Sequence, residues 1–110
     1  MSQSQTIKTI RLTGELEVSR KSEIHDALRQ ADYNGAFLVD LAGVTYADST
    51  ALTELLRFCV MAKREGSPVA VVIQTPQFAR LVQYAGLADA FPIFSDTQSA
   101  LEYLNEGAPS

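Results

Sequence analysis

Residues 37–60 read FLVDLAGVTYADSTALTELLRFCV, and within them a strand pattern gives way to a helix pattern. Phe37-Leu38-Val39 is an apolar run of strand type. Leu52, Leu55, Leu56, Cys59 and Val60 then fall at i, i+3, i+4, i+7 and i+8, the stripe of a helix that buries one face. Asp48-Ser49-Thr50 therefore stands at a helix N-terminus. Such an end has unpaired N–H groups and the positive end of the helix dipole, which suit a capping hydroxyl and a phosphate alike. Ser49 and Thr50 are both preferred capping residues, so the residues alone leave a simple cap and a phosphate-bearing site both open.

Upstream, Ile7 to Thr13 reads as a strand that turns at Gly14, and Ser19 to Ala31 as a helix with Ile24, Ala27, Leu28 and Ala31 inward. Asn34-Gly35 breaks the chain before a strand from Ala36 to Leu41. Downstream, the helix from Thr50 to Glu65 is stopped by Gly66 and Pro68, and Val69 to Ile73 is an apolar run of the kind a strand covered on both faces requires. Pro76 opens a helix that ends at Gly86, and a short strand follows at Pro92 to Phe94. Ser95-x-x-Gln98 then has the form of a capping box for a last helix to Leu104. Strands alternating with helices predict a single α/β domain with a largely parallel sheet and right-handed crossovers. Its folded core is expected over residues 5–104, with 105–110 as a frayed tail.

A chain of 110 residues can bury a core without disulfides or metals, and its 46% hydrophobic content agrees. The formal charge is 9 basic minus 13 acidic residues, or −4. The basic residues are scattered along the chain, whereas affinity for phosphate backbones needs them gathered, so no direct nucleic-acid partner is expected. The first ten residues lack the apolar core of a secretory signal, and no apolar run approaches the roughly 20 residues of a membrane span. A cytoplasmic protein without membrane insertion is the expectation. Cys59 lies alone on the apolar stripe and reads as a buried structural thiol; His25 is alone on a surface helix, so neither a metal nor a cofactor is predicted.

The stretch Asp40-Leu41 followed by Asp48-Ser49-Thr50-Ala51-Leu52 resembles the signature of the STAS domain family, the bacterial anti-sigma factor antagonists. That signature is a strand ending in an acidic or amide residue, a short loop, then Asp-Ser-Ser/Thr-Gly-Leu opening a helix. Leu12-Thr13-Gly14-Glu15-Leu16-Glu17 is similar to the family's Leu-x-Gly-Glu-Leu-Asp. Phe78-Ala79-Arg80-Leu81-Val82 with Ala85-Gly86-Leu87 resembles its late helix and Gly-Leu turn, so the resemblance spans nearly the whole chain. Ala51 stands where the family has glycine and Glu17 where it has aspartate. The alanine methyl is expected to crowd a partner's backbone, and the glutamate to reach one methylene further.

The resemblance implies a small mixed, largely parallel sheet with helices packed mainly on one side and the signature loop exposed. It also implies a phospho-switch. The unmodified domain binds an anti-sigma factor or related GHKL-type serine kinase, is phosphorylated by it on Ser49, with Thr50 the second-ranked site and a cap, and is restored by a PP2C-type phosphatase. The alternative is a permanent subunit, such as the STAS component of a lipid-transporting ABC complex. Partner contacts are expected at Glu17, Asp40, Asp48, Ser49, Thr50 and Ala51. A helical wheel adds Glu54, Phe58 and Met61 as one exposed face opposite the buried stripe, unless that flank lies under a neighbouring helix.

An enzyme is not expected. Ser49 lacks the Gly-x-Ser-x-Gly elbow, the one histidine is not placed to serve it, and no phosphate-binding glycine loop is present. Asp40 reads as capping backbone groups at a strand end, and Asp40 with Asp48 is a minimal set for Mg²⁺.

Overall fold

The computed structural model describes residues 6–86 and 91–106. Strand β1 (Ile7–Leu16), a short 3-10 turn (Val18–Arg20) and helix α1 (Lys21–Leu28) are followed by β2 (Ala36–Ala47) and α2 (Ser49–Arg64). Then come β3 (Val69–Ile73), α3 (Pro76–Tyr84), β4 (Ile93–Phe94) and α4 (Thr97–Asn105). The strands lie in the order β1-β2-β3-β4, and every described pairing is parallel. When strands consecutive in sequence are also neighbours in the sheet, right-handed crossovers deliver all the intervening helices to one face. Accordingly α1, α2 and α3 bury Ile24, Leu55, Phe58 and Phe78 against the face that carries Leu12, Val39 and Val71. Helix α4 precedes no further described strand and is free to cover the other face, where Ala100 and Leu104 meet Ala36, Leu38, Ala70 and Val72. The expected α/β class with helices mainly on one side is the one observed; the sheet, expected to be mixed, is parallel throughout the described residues.

All five residues of β3 are buried, as its unbroken apolar run required. The first two strands differ from expectation. β1 does not turn at Gly14, and β2 does not end at Leu41; the two continue together as far as the Leu16–Ala47 pair, beyond the last β2–β3 pair, Leu41–Ile73. The register slips between Arg11 and Thr13 and again between Gly14 and Glu15. Glycine in a strand interior marks such irregularities, and here it broke the alternation by which a strand is recognised. Helix α1 stops at Leu28, where its inward stripe ends, and Ala31 is exposed, not buried. The last helix is capped by Asp96, which accepts from Ser99 N at 2.7 Å, and not by Ser95. Residue 5, Leu87 of the Gly-Leu turn and residues 107–110 of the expected tail lie outside the described residues, while Asn105 still belongs to α4.

No helix among the described residues is long and apolar enough to cross a membrane. Cys59 is enclosed by the core, and burial pushes its thiol up to about 12. A raised pKa keeps the sulfur protonated, and the thiolate is the nucleophile. Ellman's reagent at about pH 8 is therefore expected to leave the native protein unlabelled and to react fully once guanidinium unfolds it. Rapid labelling of the native chain would show that the helix opens.

Candidate partner-binding site

The C-terminal ends of β1, β2 and β3 bring their following loops together, the edge at which parallel sheets build their sites. Asp48 is the N-cap of α2: Oδ1 accepts from Thr50 N at 2.9 Å and Ala51 N at 3.4 Å. Its Oδ2 accepts from Val18 N at 3.1 Å, and its own N–H donates to Leu16 O at 3.1 Å. One carboxylate thus ties the first turn of α2 to the turn that follows β1. From the other side, the Gln77 side chain clamps the last residue of β2, with Oε1 accepting from Ala47 N at 3.0 Å and Nε2 donating to Ala47 O at 2.7 Å. The Thr75 hydroxyl donates to Val44 O within the same strand.

The turn after β1 has its own fastening. Arg20 donates from one guanidinium nitrogen to Thr13 O and Glu15 O, both at 2.8 Å, across the irregularity at Gly14. It also makes a two-point contact with Glu23 at 2.9 and 2.6 Å. That hydrogen bond lowers the Glu23 carboxyl below its ordinary value and raises the Arg20 guanidinium above its own.

On this framework Ser49 is the first residue of α2 and is exposed, and its hydroxyl makes no hydrogen bond among the described residues. The cap expected of Ser49 or Thr50 is supplied by Asp48 instead. A carboxylate can take two helix N–H groups with one oxygen and hold Val18 with the other, which a hydroxyl cannot.

A family model described as "Mlab, STAS domain" matches residues 2–95. The chain belongs to the STAS domain family. An anti-sigma factor antagonist from Mycobacterium paratuberculosis shares its fold at a TM-score of 0.81 and 23% identity, with 89% of this chain and 85% of that one covered. A sulfate transporter family protein from Wolinella succinogenes superposes at 0.76 and 15% identity, covering 89% and 84% of the two chains. The unphosphorylated anti-sigma factor antagonist SpoIIAA superposes at 0.68 and 14% identity, covering 97% and 96%. No curated protein matches the chain in sequence.

In this STAS domain the expected contact residues do not form one surface. Glu17, half-buried at the start of the 3-10 turn, and Asp48, Ser49 and Thr50 share the tip. Asp40 does not. It sits in the middle of β2, eight residues and roughly 26 Å of strand rise before Asp48. There Oδ2 accepts from Arg11 Nε and Oδ1 from Ala42 N, both at 3.0 Å. Its role is to fasten β1 to β2.

Ala51 is buried and faces a void of about 10 Å³ lined by Leu16, Ile24, Val39 and Phe78. Its methyl fills the core beneath the tip and cannot crowd a partner, which corrects the expectation drawn from the missing glycine.

The helical wheel was also turned. Glu54 and Phe58 are buried and Met61 is half-buried, while Val60, assigned to the buried stripe, is 47% exposed. Helix α2 packs on α1 as well as on the sheet. Phe58 meets Phe37 edge-on at 5.3 Å and Tyr33 at 6.0 Å, and Glu54 is met by His25 of α1 at 3.0 Å and by Arg57 at 3.6 Å. The exposed face expected from Glu54, Phe58 and Met61 is the covered flank.

Gln77, Thr75 and Val18 escaped sequence reasoning. The Thr75-Pro76 helix start was legible, but nothing local shows that a glutamine side chain reaches back to a strand thirty residues earlier. Among the described residues no group of three or more His, Cys, Asp or Glu side chains is placed to hold a metal ion.

Proposed function

We propose that this STAS domain is a phosphorylation-switched anti-sigma factor antagonist, not itself an enzyme, that works in the cytoplasm. Unmodified, it binds an anti-sigma factor that is also a GHKL-type serine kinase. The kinase phosphorylates Ser49, the complex parts, and a PP2C-type phosphatase restores the binding form. The observation that carries this reading is the presentation of Ser49: an exposed hydroxyl, free of internal hydrogen bonds, on a tip held from β1 and from α3. The Asp48 carboxylate already occupies the N–H groups of Thr50 and Ala51, so a phosphate at Ser49 does not find those helix-end donors free. It adds a charge of about −1.5 to −2 beside an existing carboxylate, and a partner would have to desolvate both. The fold shared with anti-sigma factor antagonists supports the reading.

Incubation with the cognate kinase and ATP is expected to yield a phosphopeptide modified at Ser49. Phosphate on Thr50 alone, or none, overturns the switch. In calorimetry Ser49→Ala is expected to bind like the parent and Ser49→Asp about tenfold or more weakly, or at least about 1.4 kcal/mol. The second reading, a permanent subunit, draws support from the family description naming Mlab and from the sulfate transporter family protein of like fold. Equal affinities for all three forms would select it.

A further inference from the structure

We infer that the groove between α1 and α2 is a second docking site, for a segment of a partner protein that presents a large apolar side chain flanked by carboxylates. The inference does not involve Ser49, the first residue of α2, which is not part of the groove lining. The groove has a volume of about 110 Å³, with a floor of Leu28, Tyr33, Phe58 and Met61. Its rim carries His25, Arg29 and Arg57, all exposed. In a chain of net charge −4 the lining sets two arginines against one glutamate.

The lining carboxylate, Glu54, is 5% exposed and already engaged by His25 at 3.0 Å and Arg57 at 3.6 Å. Arg29 is exposed and has no ion pair among the described residues. Of the acidic groups, Glu54 lies beneath the groove, the charge of Glu65 is felt at Tyr33, and Asp26 and Asp32 stand three residues either side of Arg29 in sequence.

This arrangement sets the polarity of the occupant. A carboxylate driven to the floor would meet Glu54, and like charges in a partly dehydrated site repel. An apolar group on the floor meets Tyr33 and Met61, the half-buried apolar members of the lining, while carboxylates beside it reach Arg29 and Arg57 at the rim, where an Arg fork can be satisfied. A small free anion can use the rim only and forgoes the floor; an acidic segment with an apolar anchor uses both.

The probes are three short fluorescent peptides: Glu-Asp-Leu-Phe-Asp-Glu, its amide counterpart Gln-Asn-Leu-Phe-Asn-Gln, and Glu-Asp-Ser-Ser-Asp-Glu. Each is titrated into the ¹⁵N-labelled full chain. The acidic-apolar peptide is expected to shift amides of residues 25–33 and 54–61 with Kd below about 1 mM, and the other two to bind about tenfold more weakly or worse. Arg29→Glu is expected to weaken the first peptide by about fivefold or more, and Lys21→Glu, on α1 but outside the groove, to leave it unchanged, with the melting temperature of each variant confirming the fold. No shifts at about 1 mM peptide, shifts confined to other surfaces, or equal binding of the amide peptide overturn the inference. So does decanoate binding as tightly as the peptide, which would make the groove a fatty-acid site. Concentration-dependent self-association that shifts the same amides without peptide would assign it to a second copy of this chain and equally overturn it.

Discussion

Phe58→Ala is expected to lower the stability of the domain by about 3–5 kcal/mol, the range for removing a buried aromatic side chain from a packed core. Phe58 is 3% exposed and closes a three-ring cluster with Tyr33 and Phe37, whose centroids lie 5.7 Å apart. Its removal opens a void where α2, β2 and the segment after α1 meet, and none of the three can close it without leaving its other contacts. In a domain of this size the loss lowers the melting temperature by roughly 10–20 °C. Met61→Ala, a half-buried position on the same groove, is expected to cost about 1 kcal/mol or less. Thermal melts of the two single variants decide the matter. A Phe58→Ala protein that melts with the parent would mean that the ring is not packed, and the exposed face expected from the helical wheel would return.

The turned wheel shows where sequence reading stops. Leu52, Leu55 and Cys59 were placed inward from their spacing and are buried. Glu54 could not be, because any hydropathy pattern places a glutamate outside; its burial is made tolerable by Arg57 one turn on and by the His25 side chain, twenty-nine residues earlier on another helix. Val60 counts as apolar in the pattern, yet it faces water because α2 presents the small side chains Ala51 and Ala62 to the core. Elements whose environment is uniform were legible. β3 is buried on every side and reads as an apolar run, and the start of α3 follows from Pro76. The position of Ser49 was legible too, since it lies where a strand pattern passes into a helix pattern. What holds the tip was not. The sequence shows Asp48 only as the neighbour of Ser49; its bonds to Val18 and to the α2 backbone, and the Gln77 clamp, exist only once three strand ends converge.

Gly35→Ala is expected to cost about 2–4 kcal/mol, although the residue lies in a connection and contributes no side chain to the core. Its φ of +74° places it in the left-handed region, where a β-carbon is disfavoured by roughly 1–2 kcal/mol. A methyl group there would also stand 2.4 Å from the backbone oxygen of Thr6. That oxygen accepts from Ala36 N at 2.8 Å, the bond that opens the pairing of β1 with β2, so it cannot retreat without releasing the start of the edge strand. The cost is then the conformational term plus a backbone hydrogen bond worth about 0.5–1.5 kcal/mol and the fraying that follows. Gly66 separates these contributions. It has nearly the same φ, +79°, and an added methyl meets nothing within 4 Å, so Gly66→Ala bears the conformational term alone. In urea titrations the Gly35 variant should unfold at a clearly lower midpoint than the Gly66 variant, with the slope of the transition unchanged in both. Coincident midpoints would mean that β1 yields to the methyl at no cost, and that the Thr6–Ala36 bond contributes nothing to joining the first two strands.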